Sequence, residues 1–505
     1  MATGPLGHWA VDSMTGASAL RPLYLERLGR PYALGCCLAR PWVNLVCPTL
    51  PSSVVSPLWS QVYTVRHSHN LIRRLPDHRP AAPGPLLAAA STFFLTLPLI
   101  GLPHRSKLVS LSTIMPAAAN ATSASPARAP KNIAVVGGGI VGVCTAYFLA
   151  ISPHRPAGSK ITLVEGTGVA SAASGNAGGF LARDWHGPAT ASLSAMSFDL
   201  HRKLAEQFGG SKHWQYRSVD TLSVTIDGQA EPATSRSPVP WIPKGNIQKH
   251  SQLGTHSTTA QCHPRLLTRF LAERFLREEG CALVLGTAKA LALDSDGVPH
   301  TLMVNLKEDG SERIIDVDTV ILTAGPWLGR LAEALLPSSA ARGVAVDGQM
   351  AHTLLLRTKE PTTPHCLFVD LTLNDGAVSE PEVYPRPDGT VVICGASCAV
   401  DLPETAGDII GDPASVDKLR TQAAGISPVF SEEGGAAFES STACFLPIPD
   451  RGRPVIGKVP GMEGVYVGGG LSCWGITQGP GTGLVLAEMV LEGEAKTADV
   501  SKLSP

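Results

Sequence analysis

Metal-binding spacing is missing from this chain. None of its eleven cysteines forms a C-x-x-C pair or sits in a His/Cys pattern that could hold a metal ion. The odd count also argues against a disulfide framework. Reduced thiols in an intracellular, cytoplasmic protein are the expectation, most of them acting as small buried hydrophobes. Net charge is nearly absent too, at −1 over 505 residues, which removes the electrostatic case for a nucleic-acid partner. No clean apolar run reaches the ~20 residues of a spanning helix. The nearest, residues 86–102, is broken by Ser91, Thr92, Thr96 and Pro98, so the case for a membrane is weak. No His/Asp/Ser constellation of the hydrolytic kind stands out. What remains is a chain of 44% hydrophobic content, long enough for two or three domains and a large core.

Its charge is unevenly spread. Residues 1–130 hold eleven Lys and Arg against three acids (Asp12, Glu26, Asp77), and the remainder is correspondingly acidic. This first stretch is rich in Pro, Ser, Ala and Arg and shows no sustained helix or strand period. An organelle-targeting extension (mitochondrial, on its arginines), a membrane anchor, and sequence upstream of the working protein all fit it. A disordered extension is the expectation, with Met115 a plausible start and residues 1–114 dispensable for folding. At the other end, Ser501-Lys-Leu503 resembles a peroxisomal address, but Ser504 and Pro505 follow it and the signal is read only when terminal.

Two glycine-rich stretches far apart in the chain carry the chemistry. The first is Lys131-Asn-Ile-Ala-Val-Val-Gly137-Gly138-Gly139-Ile140-Val141-Gly142. Residues 133–136 are wholly apolar, as in a central parallel strand covered on both faces. Gly137 permits a turn, Gly139 lets phosphates approach the backbone, and Gly142 allows close packing of a helix on the strand. The helix expected over residues 140–151 is ended by Pro153. A second strand, residues 160–165, finishes on Glu165, where a ribose-binding carboxylate belongs in a dinucleotide site. The second stretch, residues 467–483, contains Gly470, Trp474, Gly475, Ile476 and Thr477. It suggests that the chain returns near its end to close the far side of the same cofactor.

Taken in order over about residues 131–495, these motifs resemble the D-amino-acid oxidase superfamily of FAD proteins, which includes glycine oxidase and sarcosine oxidase. The loop holding Ala173, Ser174, Ala177, Gly178 and Gly179 resembles the small-residue segment beside the flavin ring; on composition alone a flexible surface loop is the alternative. Gln261-Cys-His263-Pro264 opens a helix in the family's manner, with Pro in the first turn. Lys289 stands in the strand whose backbone meets the adenine, and Ala324, Gly325 and Trp327 in a strand and turn near the dinucleotide. Residues 472–476, with the 175–180 loop, are most similar to a fungal branch of oxidoreductases. The resemblance implies an α/β fold in which a Rossmann-like FAD-binding domain (131–209, 261–342, 441–495) alternates with a smaller α+β substrate domain (210–260, 343–440) on a mostly antiparallel sheet. Residues 496–505 would be a tail.

The same resemblance implies FAD as cofactor and oxidation of a C–N bond in a small amine or amino acid. Electrons would pass to oxygen or another acceptor, and an FAD-fold partner protein without catalysis is the reading from another class. The helix starting near Gly475 would add positive potential beside the flavin. Arg386 corresponds to the substrate-carboxylate anchor of glycine-oxidase-like relatives, an assignment that suits a bidentate guanidinium; a solvated arginine beside the Pro-Asp-Gly turn is equally open. Cys444 corresponds to the cysteine that bonds flavin in sarcosine-oxidase-like relatives, against the bland reading of an inert buried thiol. Three positions depart from the pattern: Leu446 where a second arginine is common, Ile393 where an oxygen-activating lysine occurs, and Leu471 where histidine is frequent.

Overall fold

The computed structural model describes residues 129–505 except Ser235. The expectations for the extension, its apolar run and the start at Met115 lie outside the described residues.

The strand Asn132–Val136 sits mid-way in an eight-stranded sheet, parallel on one side to Lys160–Glu165 and on the other to Thr319–Leu322. Cys281–Leu293 continues the parallel set beside Lys160–Glu165, then turns antiparallel with Pro299–Leu306. Val465–Gly469 follows Thr319–Leu322 in parallel, and Val455–Lys458 closes that edge antiparallel. The apolar run of 133–136 is buried throughout, and its alternation divides two cores. Ile133 and Val135 pack with helices α1 (Ile140–Ile151), α2 (Ala191–Phe208) and α3 (Pro264–Phe275). Ala134 and Val136 face the opposite way, toward α4 (Leu328–Leu335). Such a strand needs apolar side chains at every position because both faces are covered.

A second eight-stranded sheet holds, in order, Ala437–Pro449, Val346–Arg357, Thr390–Cys398, Glu382–Pro385, His365–Thr372, Asp220–Asp227 and Ile247–Gly254, with Val378–Ser379 beside His365–Thr372. Every pairing is antiparallel except that of His365–Thr372 with Asp220–Asp227. The mostly antiparallel second sheet is therefore as expected. Leu367, Val369 and Leu371 point to one side, where α5 (Pro413–Ile426) contributes Leu419, Ala423 and Ile426. Cys366 and Phe368 point to the other, with Tyr384 and Val392. The period of two thus gives the sheet one sealed face and one face available to a site.

The C-terminal helix α6 (Gly475–Glu492) returns the chain to the first sheet and packs on α1. Two glycines allow the approach. A Cβ on Gly479 would lie 2.7 Å from Ile140 Cγ2, and one on Gly483 would lie 2.6 Å from both Cys144 Cβ and the Thr145 nitrogen. Any side chain there would separate the two helices whose N-termini form the site.

Candidate functional site

A cavity of about 1150 Å³ is lined by residues of both large sheets and the loops between them. That is larger than the roughly 300–1,000 Å³ of ordinary small-molecule pockets.

At the glycine turn, Gly137 adopts a φ of +118° and donates its N–H to the Val164 carbonyl at 2.8 Å. Glu165 Oε2 accepts from the Gly138 N–H at 2.6 Å, while Oε1 accepts from Thr167 and Gly168 at 2.7 and 3.0 Å. This carboxylate therefore ties the turn to the loop after the second strand as well as facing the cavity. Ser174 Oγ accepts from the Ile140 N–H at 2.9 Å, pinning the small-residue loop to the first turn of α1. Both α1 and α6 start at the cavity with no cap from the side chain of their own N-cap residue and no acid in the first turn. Two positive helix ends thus converge on one space.

The start of α6 is shaped by α2. Pro480 has no N–H for the Ile476 carbonyl, which would otherwise lack its helical donor. His201 Nε2 supplies that bond at 2.8 Å. Ser197 Oγ bridges the next rung, accepting from Gly481 N–H at 2.8 Å and donating to the Thr477 carbonyl at 2.6 Å. Burial holds the His201 imidazole down to about 4, so it stays neutral and serves as a fixed donor.

The far end of the cavity is aromatic. Phe180 stacks on Tyr384 with ring centres 5.7 Å apart and meets Trp185 and Phe368 at 5.2 and 5.4 Å. Trp474, at the start of α6, lies edge-on to Trp185 at 6.3 Å and 4.5 Å from the His186 ring. His186 is shifted below its ordinary value by burial, so it is not a source of positive charge. Tyr384 donates its hydroxyl to Glu382 Oε2 at 2.5 Å. A Cβ on Gly178 would lie 2.5 Å from the Tyr384 ring, so the small-residue loop lies flat on the second sheet.

The cofactor residues expected from sequence are brought together on this cavity wall, except Gly142 and Thr477. Gly142 packs behind the turn, and Thr477 is buried with its hydroxyl toward the Phe180 carbonyl at 3.4 Å. Arg386 is not among the residues lining the cavity, but it interacts electrostatically with Cys394, which is. Arg386 is not solvated: at 9% exposure it is buried in the 386–390 hairpin near Cys262, Asp388 and Arg265. Ile393 is fully buried among the residues packed against α5, while its neighbour Cys394 lines the cavity. It cannot stand in for a flavin-facing lysine, because strand parity turns it away. Leu446 and Leu471 do line the cavity.

Phe180, Trp185, His186, Phe368, Glu382 and Tyr384 line the cavity but were not singled out as site residues. The signal for the last two was local: Glu382-Val-Tyr384 places its polar ends on one face of a strand.

Gly139→Ala probes the turn. Only Ser174 comes within 4 Å of a Cβ placed there, with Oγ at 3.1 Å, so the chain is expected to fold. The new methyl would occupy space where a phosphate approaches the α1 N-terminus. The expected result is a protein that melts like wild-type apoprotein and loses its dinucleotide on gel filtration. Retention of the cofactor at wild-type affinity would show that the turn does not hold the phosphates.

The family model described as FAD dependent oxidoreductase (DAO) matches residues 132–489. An oxidoreductase of Schizosaccharomyces pombe is 32% identical over 393 residues, covering 74% of this chain and 98% of that protein. Glycine oxidase of Geobacillus kaustophilus is 25% identical over 389 residues, covering 71% and 92% respectively. In three dimensions the chain superposes on glycine oxidase from Bacillus cereus with a TM-score of 0.58 at 18% identity, over 74% of this chain and 99% of that one. Since the family match runs from the first strand of the main sheet into α6, the chain belongs to the DAO family of FAD-dependent oxidoreductases.

Proposed function

We propose that this enzyme oxidises a C–N bond of a small amine or amino acid by hydride transfer to FAD. The observation that carries the reading is the continuity of one cavity from the glycine turn, past the N-terminus of α6, to the aromatic end. Its similarity to a glycine oxidase points the same way. The residues fit FAD: two helix N-termini suit a pyrophosphate and a ring that gains negative charge, and a loop of Gly, Ala and Ser leaves room for a flat ring. When bound, FAD supplies the hydride acceptor. We assign the Gly137–Val141 turn, Glu165, the 173–179 loop, Lys289, Ala324, Gly325, Trp327, Cys444, Gly470 and residues 474–476 to its site. Gly142 supports that site from behind, and Thr477 from within α6.

The protein's part is orientation. The aromatic end excludes water and presents the carbon beside a neutral nitrogen. That carbon gives up its C–H electron pair as hydride while the nitrogen lone pair closes a C=N bond, which water then hydrolyses. No general base is required, because the C–H bond breaks with its electron pair. We further propose that segments 131–209, 261–342 and 441–495 serve FAD, that 210–260 and 343–440 serve the substrate, and that the enzyme works in the cytoplasm. Among the described residues no helix is long and apolar enough to cross a membrane.

Cys444 lines the cavity at 4% exposure, and burial pushes its thiol up to about 12. A protonated thiol is a poor nucleophile. Acid precipitation is therefore expected to release all yellow colour into the supernatant, and Cys444→Ser to bind FAD as wild type does. Colour retained in the pellet would establish a covalent bond instead.

The function is tested by anaerobic photometry with D-amino acids, N-methyl amino acids, imino acids and simple amines. Bleaching of the flavin by at least one of them is expected. A protein that carries FAD yet is reduced by none of them would sink the C–N reading. Reoxidation with and without oxygen then assigns the electron acceptor.

A further inference from the structure

Resting on the placement of FAD at the glycine turn, we infer that residues 402–409 form a strap over the dinucleotide, and that its lifting sets how fast FAD enters and leaves. The segment joins the strand Thr390–Cys398 of the second sheet to α5, yet its middle sits against the first sheet. The Pro403 carbonyl accepts from Trp327 Nε1–H at 2.8 Å and from Arg330 Nη1 at 3.2 Å. Four residues on, a Cβ on Gly407 would lie 3.7 Å from Thr167 Cγ2. Glu404, Thr405 and Ala406, between those two contacts, line the cavity.

The order of the first sheet makes this a crossing. Lys160–Glu165, Asn132–Val136 and Thr319–Leu322 are parallel neighbours in that order. Thr167 follows the first of them, the glycine turn the second and Trp327 the third. A segment held at both Thr167 and Trp327 passes the end of the strand that carries the glycine turn. Two strand spacings are about 10 Å and four extended residues reach about 13 Å, so 403–407 spans the gap with little slack. The strap is stiff within itself. Thr405 donates its N–H and its hydroxyl to Asp408 Oδ2 at 3.1 and 2.7 Å, and its Oγ1 accepts from the Gly407 N–H at 3.2 Å. Its ends are stapled by Leu402 and Ile409, which pack with Met350, Phe445 and Trp327. That small cluster is separate from the cores of both sheets, so the strap can release without opening them. It also has room to move, because Ala406 lines a second cavity of about 550 Å³, with Ile409 and Gly411 on the same wall. A segment counted with the substrate domain thus retains the cofactor.

The test uses the FAD-loaded full chain in a Cys444→Ser background, where no thioether can hold the flavin, and reads free FAD in the ultrafiltrate over time. Leu402→Ala loosens the staple without touching the cavity, since Leu402 is not on its wall. FAD release should quicken at least about tenfold, the scale of removing a buried leucine, at a temperature where circular dichroism shows the fold intact. Thr167→Cys combined with Gly407→Cys gives the opposite test. Under oxidant, protein loaded beforehand should keep its FAD at least about tenfold longer. Apoprotein oxidised first should take up none until a reductant is added. Release from Leu402→Ala at the wild-type rate, or release unaltered by a cross-link proved by mass spectrometry, overturns the inference. Should the cross-link not form, Leu402→Ala decides alone. Failure of the underlying placement is distinguishable, because Gly139→Ala would then retain FAD whatever the strap variants do.

Discussion

Gly142→Ala is expected to give no soluble flavoprotein. Its Cβ would lie 1.9 Å from the Gly137 carbonyl oxygen and 2.5 Å from Thr323 Oγ1. Neither neighbour can move. Gly137 is fixed by its N–H bond to Val164 at 2.8 Å, and Thr323 by hydroxyl bonds to the Val136 and Gly137 carbonyls at 3.0 and 3.3 Å. Relief would require α1 to lift from the central strand, which its glycine contacts with α6 oppose. Backbone overlap of this kind costs roughly 4 kcal/mol or more, a large share of a stability of about 5–15 kcal/mol. Soluble yield and a melting curve followed by circular dichroism check it. The contrast with Gly139→Ala is the diagnostic part: two glycines of one motif, three positions apart, one expected to fail in folding and the other in binding. A Gly142→Ala protein that melts with wild type would mean that the helix approaches less closely than described.

The second large effect is a loss of stability in mild acid that His201 controls. Its imidazole is held down to about 4 from 6.5 by burial, and its Nδ1 has no hydrogen-bond partner among the described residues to offset a charge. The unfolded chain therefore binds a proton that the folded chain refuses. Stability from this residue is complete above about pH 6.5 and is lost as pH falls toward about 4. The amount is about 3 kcal/mol. His263, also lowered to about 4 by burial first and then by Arg386, acts with the same sign. His201→Gln keeps an N–H donor for the Ile476 carbonyl but removes the titration. Denaturant midpoints across that range should fall more steeply for wild type than for the variant. Parallel pH dependences would show that His201 is charged in the fold, or that another group dominates. The same residue holds the first turns of α6, so flavin should dissociate from wild type over the same range.

How much of this was legible beforehand follows the distance over which each feature is encoded. The α1 boundaries, the strand ending on Glu165 and the Pro264 helix start were all readable, because each depends on neighbouring residues. Likewise the α6 N-terminus announced itself through its glycines, though its repair by Ser197 and His201 did not. Those residues lie about 280 positions away, and only the packing of α2 on α6 pairs them with the Ile476 carbonyl that Pro480 leaves short and with the next rung at Thr477 and Gly481.

Sequence alone determined the cofactor end of this protein. A glycine turn, an apolar strand buried on both faces and a helix start are local consequences of backbone sterics and side-chain periodicity, and they suffice to specify a dinucleotide site. The tertiary structure decided the substrate end. Whether Arg386, Ile393 or Glu382 faces the cavity depends on strand parity and hairpin placement, and a shift of one residue turns a side chain to the opposite face. The rings of Phe180, Trp185, Phe368, Tyr384 and Trp474 come from four separate segments. No local pattern joins such residues, because what brings them together is the packing of the second sheet against the returning C-terminal helix.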